Sequence, residues 1–175
     1  MPKFAILAAD GKTIVQIGEC PSDDISLQPL PPGGSIITLS DGASPASGLV
    51  EYDAARKRLV PHLPGIKRQR VAALGGQCAA LITGGFQSEA TGLWREYPSN
   101  PTDQANMQQV ALAGGLLMAK TGGEWGLVSH TAAQGVNVLA DFRGHCDAAR
   151  QLLADRRAAV MAAHTPEQIA EITLS

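Results

Sequence analysis

The first sixty residues alternate short β-type runs with turn chemistry. Phe4-Ala5-Ile6-Leu7 and Thr13-Ile14-Val15-Gln16-Ile17 flank Asp10-Gly11, a pair that favours a hairpin, so the first two strands are predicted to pair. Ser35-Ile36-Ile37-Thr38-Leu39, Gly48-Leu49-Val50-Glu51-Tyr52 and Lys57-Arg58-Leu59-Val60 continue the pattern. A second Asp-Gly turn stands at Asp41-Gly42, and Pro29, Pro31 and Pro32 interrupt the connection between pairs. Residues 1–62 therefore read as a small β module, marginal at that size without support from the rest of the chain or a partner.

Beyond Pro61 and Pro64 the spacing becomes helical. Ile66, Val71, Leu74, Cys78, Leu81 and Ile82 recur mostly at three- and four-residue steps up to Gly84-Gly85, predicting a first helix weakened by Gly75-Gly76. Phe86 to Tyr97 reads as an extended or hairpin segment. Asn100 before Pro101, with Asp103 in the first turn, marks a second helix start, and the apolar pattern extends that helix to about Met118. On that reading Gly114-Gly115 lies inside a helix, where a close helix crossing would account for it.

Gly122-Gly123 turns the chain into a β segment, Glu124 to Ser129. Thr131-Ala132-Ala133-Gln134 has the form of a capping box and opens a helix of more than 30 residues. Its stripe is Val138, Leu139, Phe142, Cys146, Ala149, Leu153, Val160 and Met161, with Arg143, Asp147, Arg150, Asp155, Arg156 and Arg157 opposite. Thr165-Pro166-Glu167-Gln168 repeats the cap before a last short helix. The predicted fold class is α+β: the β module, then a mainly helical domain over 63–175 with a long capped helix and short β segments.

Composition sharpens this picture. With 45% apolar and 17% charged residues among 175, the chain can bury a core, and seven aromatics (two Trp, two Tyr, three Phe) leave Ala, Leu, Val and Ile to fill it. The formal charge of -2 lacks the basic surplus that binds phosphate backbones, so nucleic acid is not expected as a partner. Lys67-Arg68-Gln69-Arg70 is the one compact basic cluster and reads as a solvated helix face. Three scattered cysteines, Cys20, Cys78 and Cys146, fit a reducing site of synthesis. The N-terminal apolar run ends at Asp10, short of a signal-peptide core, and the run from Val110 to Ala119 is about half the roughly 20 residues of a membrane helix, so no membrane span is expected.

Catalytic patterns are absent from the sequence. His62, His130, His145 and His164 stand in no recognisable setting; His145-Cys146 are neighbours on a helix and point about 100° apart. There is no Cys-x-x-Cys, no Gly-x-Ser-x-Gly, and no glycine pair followed by the Lys-Ser/Thr ending of a phosphate loop. We therefore expect no catalytic residues, metal ligands or cofactor. Trp94 and Trp125 read as anchors of a small core, with surface recognition as the other reading.

Gly84-Gly85-Phe86-Gln87-Ser88-Glu89-Ala90-Thr91-Gly92-Leu93, followed by Tyr97-Pro98-Ser99-Asn100-Pro101-Thr102-Asp103-Gln104-Ala105-Asn106, resembles a signature of short tail proteins of tailed bacteriophages. The order of later parts is also similar: Glu124-Trp125, the helix opening at Thr131, and Ala162 to Ile172. The resemblance covers residues 63 to 175, and the β module is similar to those that begin many tail-fibre-associated proteins. Members often end in Ile-x-Trp, whereas this chain ends Ile172-Thr173-Leu174-Ser175. The resemblance implies a non-enzymatic structural component of the virion tail, near fibre or baseplate, made in the bacterial host cytoplasm. Its implied partners are other tail proteins and copies of itself; the alternative is a tail-fibre assembly chaperone. Candidate partner-binding residues are Trp94, Tyr97, Asp103, Gln104 and Asn106, although Asp103, Gln104 and Asn106 also read as a capped helix entrance.

Overall fold

The computed structural model describes residues 2–39 and 48–174. The fold is α+β, with helices and antiparallel sheets. It divides into two compact units, Met1–Val71 with Val160–Ile172, and Ala72–Ala159 with Thr173–Ser175.

In the first unit, β1 (Lys3–Leu7) is the central strand of a sheet ordered β2-β1-β3, with β2 at Ile14–Glu19 and β3 at Ser35–Leu39. Being central and covered on both faces, it reads as an unbroken apolar run, and Phe4 to Leu7 are all buried. Ala5, Leu7 and Ile14 form one cluster with Ile17, Ile37, Leu39, Val50, Tyr52 and Leu59 packed around it. A two-stranded ladder, β4 (Val50–Asp53) with β5 (Arg58–Pro61), completes the β elements and joins the first hairpin through a Thr13–Glu51 bridge. The expected Asp10-Gly11 turn forms. Asp41-Gly42 lies outside the described residues.

Helix α1 (Leu63–Thr83) ends where the glycine pair stops it. Its basic cluster is more than a solvated face. Lys67 Nζ donates to Met161 O at 2.6 Å, and Arg70 donates to the carbonyls of Ala170 and Ile172. Carbonyls at helix ends lack partners within the helix, and cationic donors there satisfy them against the negative end of the dipole.

The second unit holds a sheet ordered β6-β7-β8-β9, all antiparallel: β6 (Phe86–Ser88), β7 (Arg95–Tyr97), β8 (Gly115–Thr121) and β9 (Glu124–His130). Helix α2 (Pro101–Ala113) starts at the predicted Asn100 cap, whose side chain accepts from the backbone of Thr102 and Asp103 while Asp103 answers to Asn100 N–H. It stops five residues earlier than expected. Gly114, at φ +74°, leaves the helix, and the apolar run after it alternates between sheet faces as β8. A short apolar run without polar interruption fits a helix or a strand, and here the ladder with β9 decided it.

Helix α3 (Ala132–Ala162) is 31 residues long and opens on the Thr131–Gln134 box, with both reciprocal hydrogen bonds formed. Val138, Phe142, Cys146 and Ala149 are buried at steps of four and three, while Met161 faces out. The close helix crossing expected of Gly114-Gly115 belongs instead to Gly135: a Cβ there would lie 2.7 Å from the carbonyl carbon and oxygen of Val110. Helix α4 (Pro166–Ala170) carries the second box, on Thr165 and Gln168.

Asp10 gives the first hairpin a pH dependence. It accepts from Thr13 Oγ1 and from the backbone N–H groups of Lys12 and Thr13, and the Thr13 hydroxyl foremost lowers its pKa from 3.8 to about 2. A depressed carboxylate contributes stability above its unfolded value and loses it as pH falls toward the folded value. The thermal unfolding temperature should therefore fall more steeply as pH drops from about 4 to 2 in the wild type than in Asp10→Asn. Identical slopes would show that the turn contributes no such term.

Candidate functional site

Strand alternation gives the β6–β9 sheet two faces of different character. On the inner face, Phe86, Tyr97, Leu117 and Ala119 join Met107 and Val110 of α2 and Val138, Phe142 and Cys146 of α3 in one buried cluster. Phe86 stacks on Tyr97 with ring centroids 5.6 Å apart and meets Phe142 at 5.3 Å. Burial raises the pKa of the Cys146 thiol.

Polar groups on this face are committed to the fold. His130 is buried; its Nδ1 is 2.8 Å from Val128 O, and its Nε2 is 2.8 Å from Tyr97 Oη. A carbonyl only accepts, so Nδ1 carries the proton and Nε2 accepts from the tyrosine hydroxyl. Burial raises the Tyr97 pKa, keeping that hydroxyl a donor. Ser88 Oγ, also buried, donates to Asp141 Oδ2 at 2.5 Å, and Arg95 donates to Thr91 and Thr121. A buried hydroxyl held by a carboxylate, with no imidazole in the chain of bonds, is not an activated nucleophile open to substrate. Among the described residues no three His, Cys, Asp or Glu side chains gather to hold a metal ion, and no helix is long and apolar enough to cross a membrane.

A groove of about 470 Å³ lies along α1, lined by Gln77, Leu81, Gly85, His145 and Leu174. Its polar groups are also engaged: His145 Nε2 donates to Leu81 O, and Gln77 Oε1 accepts from Leu174 N–H.

The outer face is the unusual surface. Register places Gln87, Glu96, Lys120 and Trp125 in one row across all four strands. Lys120 Nζ is 3.4 Å from Glu96 Oε2 and 5.7 Å from the Trp125 ring centroid. The next rows are Met118 opposite Leu127 and Leu116 opposite Ser129. Leu116, Met118, Trp125 and Leu127 remain 56%, 41%, 49% and 64% exposed. Four large apolar side chains grouped on one side of two paired strands form an exposed apolar patch, and covering what remains exposed is worth on the order of 1 kcal/mol for each.

The sequence candidates separate. Trp94 lies exposed in the β6–β7 loop beside exposed Leu93, and Trp125 stands on the outer face, so neither tryptophan anchors the core. The reason is parity: Trp125 shares its face with Lys120, while Phe86, Tyr97 and Phe142 fill the interior. Tyr97 is fully buried. Asp103 belongs to the α2 cap, and Gln104 Nε2 donates to Ser99 O at 2.8 Å. Asn106 is exposed on α2. The helical reading of 115–118 conceals the alternation of Leu116 and Met118, and with it the partner strand that gives Leu127, within the expected β segment Glu124 to Ser129, its face. The two-glycine spacing between Thr121 and Glu124 was the signal for that hairpin.

Replacing Tyr97 by Phe removes the donor to a buried imidazole nitrogen, and an unsatisfied buried acceptor costs about 1–3 kcal/mol. Urea unfolding should show that loss with native circular dichroism retained. A variant as stable as wild type would mean the hydrogen bond is dispensable.

No protein-family model matches this chain, and no curated protein or solved structure matches it either.

Proposed function

We propose that this chain is a non-enzymatic structural component of a bacteriophage tail, tied to the fibre or baseplate region and working through surfaces pressed against neighbouring proteins. The observation that carries the reading is the apolar outer face of the β6–β9 sheet, with Leu116, Met118, Trp125 and Leu127 exposed together on two paired strands. A patch of that kind supports a protein contact. The assignment to a tail is supported by the resemblance carried by Gly84 to Leu93 and Tyr97 to Asn106, stretches that contain β6, the last residue of β7 and the entrance to α2.

The groups able to take part in bond-making chemistry support the same reading. His130, Tyr97 and Ser88 are buried and hydrogen-bonded within the protein, and His145 bonds a carbonyl of α1. Tail assemblies are symmetric, so a component of one contacts copies of itself or several equivalent partners.

Quantitative mass spectrometry of purified particles tests the assignment. The chain is expected in the particle at a fixed ratio to a tail protein of known symmetry. Its absence from particles, with the protein abundant in infected cells, would contradict it.

A further inference from the structure

The β8–β9 turn determines which backbone groups of β9 face outward. Gly122 and Gly123, at φ +60° and +94°, link Thr121 directly to Glu124, the pair that closes the ladder. Positive φ at both central residues is the two-residue hairpin turn that ends on a mutually hydrogen-bonded pair. Bonded and non-bonded pairs alternate along an antiparallel ladder. Glu124, Gly126, Val128 and His130 therefore bond toward β8, and Trp125, Leu127 and Ser129 turn their N–H and C=O groups the other way. β9 is the last strand of its sheet, and among the described residues no backbone hydrogen bond reaches those outward groups.

Exposed strand edges normally carry a safeguard: a proline, a lysine, a bulge or a very short strand. β9 has seven residues, Glu-Trp-Gly-Leu-Val-Ser-His, paired in unbroken register with β8, and contains neither proline nor lysine. Its one acidic residue, Glu124, sits at the turn end.

We propose that the outer edge of β9 pairs with β9 of a second copy of this chain about a two-fold axis at Leu127, joining two four-stranded sheets into one of eight strands. The inference rests on reading this sheet as an assembly surface and not on the tail assignment. A two-fold axis at Leu127 sets Leu127 opposite itself and Trp125 opposite Ser129 of the other copy. It is the two-fold register that engages all three outward-facing residues of each strand. Axes at Trp125 or Ser129 leave some of them unpaired.

Charge and surface chemistry agree with a self-partner. In this register Glu124 of each copy lies opposite His130 of the other, so no like charges face one another. On the outer face, Met118, Leu127, and then Leu127 and Met118 of the second copy form a continuous apolar row. Trp125 and Leu116 flank that row on both sides of the axis. Augmentation of one strand hides less area than a standard interface of ~1,600 Å², so the dimer is weak and concentration-dependent. Symmetric assembly multiplies weak contacts of this kind.

Sedimentation of the full chain from micromolar to millimolar concentration, with amide exchange measured across the same range, tests the proposal. A monomer–dimer equilibrium is expected, together with slowing of exchange at Trp125, Leu127 and Ser129 by about tenfold or more as the dimer forms. Leu127→Lys, which brings two ammonium groups together at the axis, should remain monomeric. Leu93→Lys, on the exposed β6–β7 loop, should dimerise like wild type. A chain that stays monomeric throughout would overturn the proposal. So would a dimer whose three outward amides exchange as in the monomer, or a Leu127→Lys chain that associates as tightly as wild type. If that variant fails to fold, amide exchange of the wild type still decides. Absence of the protein from phage particles would leave this result untouched, and a monomeric chain would leave the particle measurement untouched.

Discussion

Burial of one face of the β6–β9 sheet against α2 and α3 is the constraint on which the second unit depends. Phe86, Tyr97 and Phe142 form its centre, and the Tyr97–His130 hydrogen bond secures the end of β9 where α3 begins. Once these side chains have fixed the parity of every strand, the opposite parity must point outward. A sheet that needed only to fold would carry polar residues there. This one carries Leu116, Met118, Trp125 and Leu127. On the reading proposed above, their exposure answers to contact with a neighbour and not to folding.

Features that the chain specifies locally were legible in its sequence. The caps at Asn100, Thr131 and Thr165 each join a side chain to backbone two or three residues away, so the pattern contains both partners of every bond. The Asp10-Gly11 hairpin and the stop of α1 at its glycine pair are equally local. Together with the β-type runs before Pro61 and the helical apolar spacing after Pro64, they carry the α+β class.

Features set by distant partners were not legible. Residues 115–118 have helical and extended readings of similar merit, and only the ladder to β9 selects the strand. That single choice decides the faces of Leu116 and Met118, and with them whether the candidate surface can be found. The tryptophans show the same limit: size argued for the core, but Trp125 is one residue out of phase with the buried set. Gly135 reads as an unremarkable helical glycine until Val110 is seen against it. Lys67 and Arg70 reach carbonyls about a hundred positions along the chain, which no window of sequence contains.

In the proposed division of labour the outer face serves contact and the inner face serves folding. The most direct measurement is urea unfolding of Leu116→Thr/Met118→Thr/Trp125→Thr/Leu127→Thr at a concentration too low for association. Stability within about 1 kcal/mol of wild type is expected, because exposed strand positions accept polar β-branched residues. A loss of several kcal/mol would place these side chains in the folding core and contradict the division of labour between the two faces.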